Sequence, residues 1–203
     1  MTVGWGRATS FKIDPKVLQR MESLYGLSAR QRLLDWQRLM IRASGDDERT
    51  KLTVVNRFFN RLAFISDQAH WGKKDYWATP LEFLASDGGD CEDFAVAKYF
   101  TLKQLGVPEE RMSLTYVKAL RLNQAHMVLT YTPSPGAEPL VLDNLEETIR
   151  PASERTDLLP VYSFNGDGLW LAKQRGRGKR VGRSSRLSRW RDLLARMQHD
   201  VPM

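Results

Sequence analysis

One cysteine is all that the 203-residue sequence contains. No intrachain disulfide can form, and cysteine usage says nothing of the redox compartment. Histidine is almost as scarce, at three, so imidazole chemistry must draw on His70, His126 or His199. No apolar run approaches the roughly 18 residues of a membrane-crossing helix, so a membrane-spanning protein is not expected. The opening Met-Thr-Val-Gly-Trp-Gly-Arg lacks the features of a signal peptide. Export would therefore require a leader already removed. Internal repeats are lacking too. An even spread of charge is also absent, although the net charge is +7. Residues 173–203 carry ten Lys+Arg against two Asp+Glu, and the other 172 residues come to −1. The basic character belongs to that end segment. Gly/Arg/Ser-rich from Lys173 to Arg189, it reads as a flexible basic tail, in which Trp190–Met197 has the spacing of a short amphipathic helix. Nucleic acid is not an expected partner, because no interleaved aromatics offer base stacking.

What is present is organised around Gly88–Phe100. Gly88 and Gly89 permit close backbone approach, Asp90 is a good N-cap, and Asp93 completes an acidic capping box. From Cys91 to Leu105 there is no Gly or Pro, and Gly106-Val107-Pro108 is a helix stop. Apolar residues at 94–97, 99, 100, 102 and 105 leave little room for a wet face, so the helix is expected to be buried on most sides. Cys91 then sits in the first turn, where free N–H groups and the helix dipole favour a thiolate. A lone cysteine is most often a small buried hydrophobe. The neighbours argue otherwise. Asp90, Glu92 and Asp93 place three carboxylates around the sulfur, and unneutralised they raise the thiol pKa. Either the cluster is solvated, or a hard divalent cation with oxygen ligands, calcium above all, sits there. The spacing is not that of an EF-hand.

With 42% hydrophobic residues the chain is long enough for one domain with a substantial core. Residues 14–87 read as mostly helical. Asp14-Pro15 opens a helix ending near Gly26, Ser28 caps a second, Asp46-Asp47-Glu48 starts a third, and Thr79-Pro80 opens a short fourth. After the central helix the hydrophobic period turns alternating. Strands are predicted over Met112–Leu120, Ala125–Thr132 and Pro139–Leu145, then Leu159–Phe164 and Leu169–Lys173 flanking the turn Asn165-Gly-Asp-Gly168.

His126 emerges near the start of a strand. A hairpin turning at residues 134–136 brings position 126 close to 144, so Asp143 or Asn144 can meet its imidazole. A cysteine on a helix terminus, followed by histidine and Asp/Asn on adjacent strands, is the papain-like arrangement of nucleophile, base and orienting acceptor. The rival reading of each residue is bland: a satisfied strand histidine and a turn aspartate.

Asp-Cys-Glu-Asp-Phe-Ala, with His 35 residues on and Asp 17 beyond it, resembles the bacterial transglutaminase-like cysteine proteinases, specifically the LapG-type periplasmic proteases. The resemblance spans roughly residues 5–172. It implies an α+β, papain/transglutaminase-like fold, with N-terminal helices and a central Cys-bearing helix packed on an antiparallel sheet. Residues 1–172 would form the proteinase domain and 173–203 an appended tail, for which the family pattern has no place. It further implies Cys91 as nucleophile, His126 as base, Asp143 as orienter, and a Ca²⁺ site drawing on Asp90, Glu92 and Asp93. The implied setting is the periplasm. The implied substrate is a large surface adhesin cut near its N-terminus, releasing biofilm, and an inner-membrane cyclic di-GMP receptor sequesters the protease. Two alternatives share these residues: an amidotransferase of transglutaminase type, and a non-catalytic calcium-dependent binding module. The Cys91 N–H is one oxyanion donor, and Trp77 and Gln68 are the candidates for a second.

Overall fold

The computed structural model describes residues 11–173 and 176–200. Helix α1 (Pro15–Tyr25) starts as its sequence dictates: the Asp14 carboxylate accepts from the Lys16 N–H at 2.7 Å, and Pro15 occupies the first turn. It stops at Gly26, whose φ of +85° reverses the chain directly into α2 (Leu27–Ala43). Gly26 rather than Ser28 therefore occupies the cap position. Helix α3 (Glu48–Phe59) is capped by Asp47, which accepts from the Thr50 N–H at 3.0 Å. Leu33, Leu52, Val55 and Phe59 lie in the core at helical spacing.

The segment before the cysteine folds back on itself. Strand β1 (Ala63–Phe64) is followed by a single helical turn, α4 (Asp67–His70), and by α5 (Pro80–Ser86), which a Thr79–Glu82 capping box starts. Strand β2 (Gly88–Gly89) pairs in parallel with β1. A Cβ on Gly88 would lie 2.6 Å from the Ala63 carbonyl oxygen, and one on Gly89 would lie 2.1 Å from the Asp93 carboxylate. Only glycine fits there. Helix α6 (Cys91–Gln104) follows, its Phe94–Tyr99 stretch buried throughout, Lys98 included.

Strands β3 (Met112–Ala119), β4 (Gln124–Tyr131), β5 (Leu140–Leu142), β6 (Arg150–Pro151), β7 (Leu158–Phe164), β8 (Leu169–Lys173) and β9 (Gly176–Gly182) form an antiparallel sheet in the order β6-β5-β4-β3-β7-β8-β9. Helix α6 packs across β4 and β3. Met112, Leu114, Met127, Leu129, Leu142 and Phe164 join its side chains in one core, while Val117, Val128 and Val141 form a small cluster with Ala152 and Leu158. The architecture is the α+β layering expected from the switch of period. One strand is shorter than expected: β5 ends at Leu142, so Asp143 leaves the ladder just past it.

The expectation of a free tail beyond residue 173 does not hold. Strand β9 extends the sheet, and helix α7 (Ser188–Asp200) returns onto the body. Trp190 is 1% exposed and Leu193 fully buried. The Trp190 indole stacks on Phe100 with centroids 5.5 Å apart and meets Tyr99 and Phe164 edge-on. Glycine and arginine composition misled because an edge strand tolerates exposed charge on its outer side. The apolar spacing of α7 is the better guide.

Candidate active site

Cys91 lies in the first turn of α6, where helix N–H groups have no intrahelical acceptor. Its Sγ donates to Glu92 Oε2 at 3.0 Å, and the Met127 N–H of β4 bonds to the sulfur. Cys91, His126 and Met127 line one cleft of about 620 Å³. Trp77, Tyr116 and Tyr162 supply aromatic walls, Phe64 and Leu145 are its exposed apolar lips, and Leu187–Arg189 close one side from the C-terminal segment. Gln124 brings an amide to the same cleft, whereas Gln68 is exposed on α4 and does not line it. Of the two candidate second oxyanion donors, only Trp77 lines the cleft that holds the sulfur.

The β4–β5 register pairs Leu129 with Leu142, which puts residue 145 across from His126 and Asp143 diagonal to it. His126 Nε2 meets Asp143 Oδ1 at 2.8 Å, and both residues are buried. Asp143, not Asn144, makes this bond. The nitrogen that Asp143 does not hold is Nδ1. Asp143 is itself pinned on all sides. The Leu145 N–H donates to its Oδ1 at 3.0 Å, Asn60 Nδ2 donates to its backbone carbonyl at 2.8 Å, and Arg155 Nη2 donates to its Oδ2 at 2.8 Å. Burial works against the charged form, but the His126 bond, with Leu145 and Arg155, holds the carboxyl down at about 2. A second buried cation feels this carboxylate: burial brings the Lys98 ammonium on α6 down to about 7, against the pull of Asp143. His70 does not line the cleft and packs edge-on against Trp71, and the side chain of His199 lies outside the described residues.

Beside the sulfur lies the acidic cluster. Carboxylate oxygens of Asp67, Asp90 and Asp93 come within 4.8 Å of one another, as do ligand atoms of Asp90, Cys91 and Glu92, and those of Asp67, Asp75 and Glu92. Burial and then the Glu92 charge push the Asp90 carboxyl up to about 10, burial raises Asp67, and burial raises Asp93 well above the usual carboxylate range. The same two influences, burial first and Glu92 second, push the Cys91 thiol up. Asp67 Oδ1 and Asp90 Oδ1 are buried without a hydrogen-bond partner. Orphaned carboxylate oxygens converging on one point fit a hard cation with oxygen ligands. Asp93 also braces the site, accepting from the Ala78 N–H at 2.7 Å and from the Asp90 N–H at 3.2 Å. Asp67 and Asp75 were not legible as members of this cluster, because the one-turn helix α4 and the loop after it carry no periodicity that points to it. Asp67 sits at the start of a one-turn helix and accepts from the Tyr76 N–H.

Residues 36–165 match the model of the bacterial transglutaminase-like cysteine proteinases. Among solved structures, Legionella pneumophila LapG in its EGTA-treated form is 44% identical, with a TM-score of 0.80, covering 93% of this chain and 99% of that one. The calcium-bound form of LapG is also 44% identical, with a TM-score of 0.77, covering 90% of this chain and 98% of the other. No curated protein sequence gives a significant match. The family match takes in Cys91, His126, Asp143 and most of both layers, and the likeness to LapG extends over the C-terminal segment as well. The chain belongs to the bacterial transglutaminase-like cysteine proteinases.

Proposed function

We propose that the protein is a calcium-dependent cysteine endopeptidase in which Cys91 is the nucleophile, His126 the general base and Asp143 the group that orients it. The observation that carries this reading is the convergence of the Cys91 sulfur and a His126–Asp143 pair on one cleft, in a chain of this family. Because Asp143 holds Nε2, the proton of Sγ passes to Nδ1. The thiolate attacks the backbone carbonyl carbon, the C–S bond forms, and the carbonyl electron pair moves to oxygen. The Cys91 N–H, in the first turn of α6, offers that oxyanion a hydrogen bond. Collapse of the intermediate breaks the C–N bond, and the leaving amine takes the proton from Nδ1. Water, losing a proton to His126, then hydrolyses the thioester and regenerates the thiol.

Asp67, Asp90, Glu92 and Asp93 are the residues that would hold Ca²⁺, and the ion supplies positive charge where the carboxylates otherwise raise the thiol pKa. LapG has both a calcium-bound and an EGTA-treated structure, which supports the same ion here. The substrate we assign is the N-terminal region of a large surface adhesin, cleaved in the periplasm, with an inner-membrane cyclic di-GMP receptor holding the protease away from it. The family resemblance supports both partners.

Incubating the protein with the N-terminal fragment of a large adhesin from the same source tests the whole reading. Wild type with Ca²⁺ is expected to yield two fragments, and Cys91→Ala and His126→Ala are expected to lose at least about 10³-fold in rate. Cleavage by Cys91→Ala would remove the mechanism. Full activity in excess chelator would remove the calcium dependence, and a receptor that fails to suppress cleavage when cyclic di-GMP is added would remove the control.

A further inference from the structure

Arg155 is a residue that no sequence pattern marks and that the mechanism above does not use. It follows a short helical turn at Ala152–Glu154, in an irregular stretch between β6 and β7. Its guanidinium is buried, with 5% of the side chain exposed. Burying an arginine without purpose is unfavourable, because the charge must leave water. Two of the three guanidinium nitrogens of Arg155, Nε and Nη2, carry all the bonds, and Nη1 is buried without a partner. Nη2 donates to Asp143 Oδ2 at 2.8 Å and to Asp157 Oδ2 at 2.8 Å, and Nε donates to Asp157 Oδ1 at 2.9 Å. The contact to Asp157 is bidentate, which fixes the guanidinium plane, and the second hydrogen of Nη2 is thereby aimed at Asp143.

We infer that Arg155 is a positioning residue of the hydrolytic site: anchored by Asp157, it clamps the second oxygen of Asp143 so that the first stays on the His126 ring. This rests on the catalytic assignment of Cys91, His126 and Asp143. A carboxylate with one oxygen free can rotate about its terminal bond, which has broad torsional preferences. With Oδ2 held by Arg155 and Oδ1 by both His126 and the Leu145 N–H, that rotation is blocked. The arginine also balances charge. Without it the imidazole faces a carboxylate that has lost a bonded cation, so the ring would hold its proton more tightly and release it less readily to the leaving amine. The charged and titratable groups around the clamp include His126 on β4, Lys98 on α6, Glu146 between β5 and β6, and Asp157 with Arg121 beyond it.

The test compares wild type, Arg155→Met and Arg155→Lys, each full-length and saturated with Ca²⁺. Two quantities are read: cleavage of the adhesin fragment, and the His126 ring pKa by NMR, which is tractable with three histidines in the chain. Arg155→Met is expected to lower kcat by about ten- to a hundredfold with KM little changed, as misplacement of a catalytic pair does. It should also raise the His126 pKa by about half a unit or more. Arg155→Lys keeps the charge but not the fork. It is expected to leave the ring pKa near wild type while recovering part of kcat. A merely structural arginine would lower the folded fraction without moving the ring pKa. Wild-type kcat and ring pKa in folded Arg155→Met overturn the inference, as does a pKa rise in Arg155→Lys equal to that in Arg155→Met. Should Arg155→Met not fold, Arg155→Lys decides alone: reduced kcat with an unmoved ring pKa supports the clamp, and wild-type kcat overturns it. If Cys91→Ala still cleaves, the catalytic reading fails while the pKa comparison still judges the clamp.

Discussion

Asp143 shows how a single carboxylate can be both costly and stabilising. It is 1% exposed, yet its carboxyl is held near 2 by the bonds from His126, Leu145 and Arg155. A folded-state pKa below the unfolded value of 3.8 means that the fold favours the ionised form. The resulting stability is present in full above pH 4 and is lost as pH falls through about 2. Its size is on the order of 2 kcal/mol. Urea midpoints measured at pH 5 and pH 2.5 are therefore expected to fall more steeply for wild type than for Asp143→Asn, which has no proton to take up there. Parallel loss in the two proteins would show that other carboxylates govern acid unfolding. The same substitution is expected to reduce cleavage severely but less than His126→Ala, because an amide oxygen still accepts from the ring.

Among the elements, α7 has the largest consequence for the site. Its Trp190 and Leu193 close the core over Tyr99, Phe100 and Phe164. Its Arg196 donates to the Tyr76 hydroxyl at 2.8 Å and also reaches Glu82 and the Trp77 carbonyl. That loop carries the Tyr76 N–H that holds Asp67 and the Ala78 N–H that holds Asp93. The helix thus supports the acidic cluster from behind as well as one wall of the cleft. Trp190→Ala is expected to cost about 3–5 kcal/mol, the usual range for removing a buried large aromatic. Truncation after Lys173, which also removes β9, is expected to lower the melting temperature sharply and to weaken calcium binding. Calorimetry on the truncated chain checks both, and an unchanged melting temperature would mean that the contacts of α7 are dispensable.

For the molecule as a whole, the cation site proposed at the buried acidic cluster is expected to couple stability to the ion. Asp67, Asp90 and Asp93 disfavour ionisation in the fold, yet all three are ionised in the unfolded chain at neutral pH. An ion bound by the folded state alone adds about 2.7 kcal/mol at a hundredfold excess over Kd. For a domain of this size that amounts to a rise of roughly 5–10 °C in Tm. Calcium is expected to produce it and magnesium much less, since magnesium demands octahedral geometry and keeps its waters. Identical melting curves with chelator and with Ca²⁺ would remove the cluster as a metal site. Among the described residues no helix is long and apolar enough to cross a membrane.

Local patterns determined a good deal without the tertiary structure. The helical layer, the alternating strands, the break at Gly106-Val107-Pro108 and the pairing of His126 with the region of Asp143 all follow from period, caps and hairpin arithmetic. These are short-range properties, and each residue in them is constrained by neighbours a few positions away. The folded chain alone decided three things. It chose Asp143 over Asn144, because β5 ends at Leu142 and turns one side chain toward the ring. It brought in Arg155, 12 residues beyond Asp143 on an irregular segment, and Asp67, 23 residues before Asp90 on a single helical turn, both too short in their local structure to show periodicity. It also docked the basic C-terminal segment, whose composition reads as solvated chain. There Trp190, Leu193 and the Arg196 head group gain their partners from residues near 77, 100 and 164. Composition speaks for the surface a segment leaves exposed, whereas docking depends on a complementary face that distant parts of the chain must first assemble.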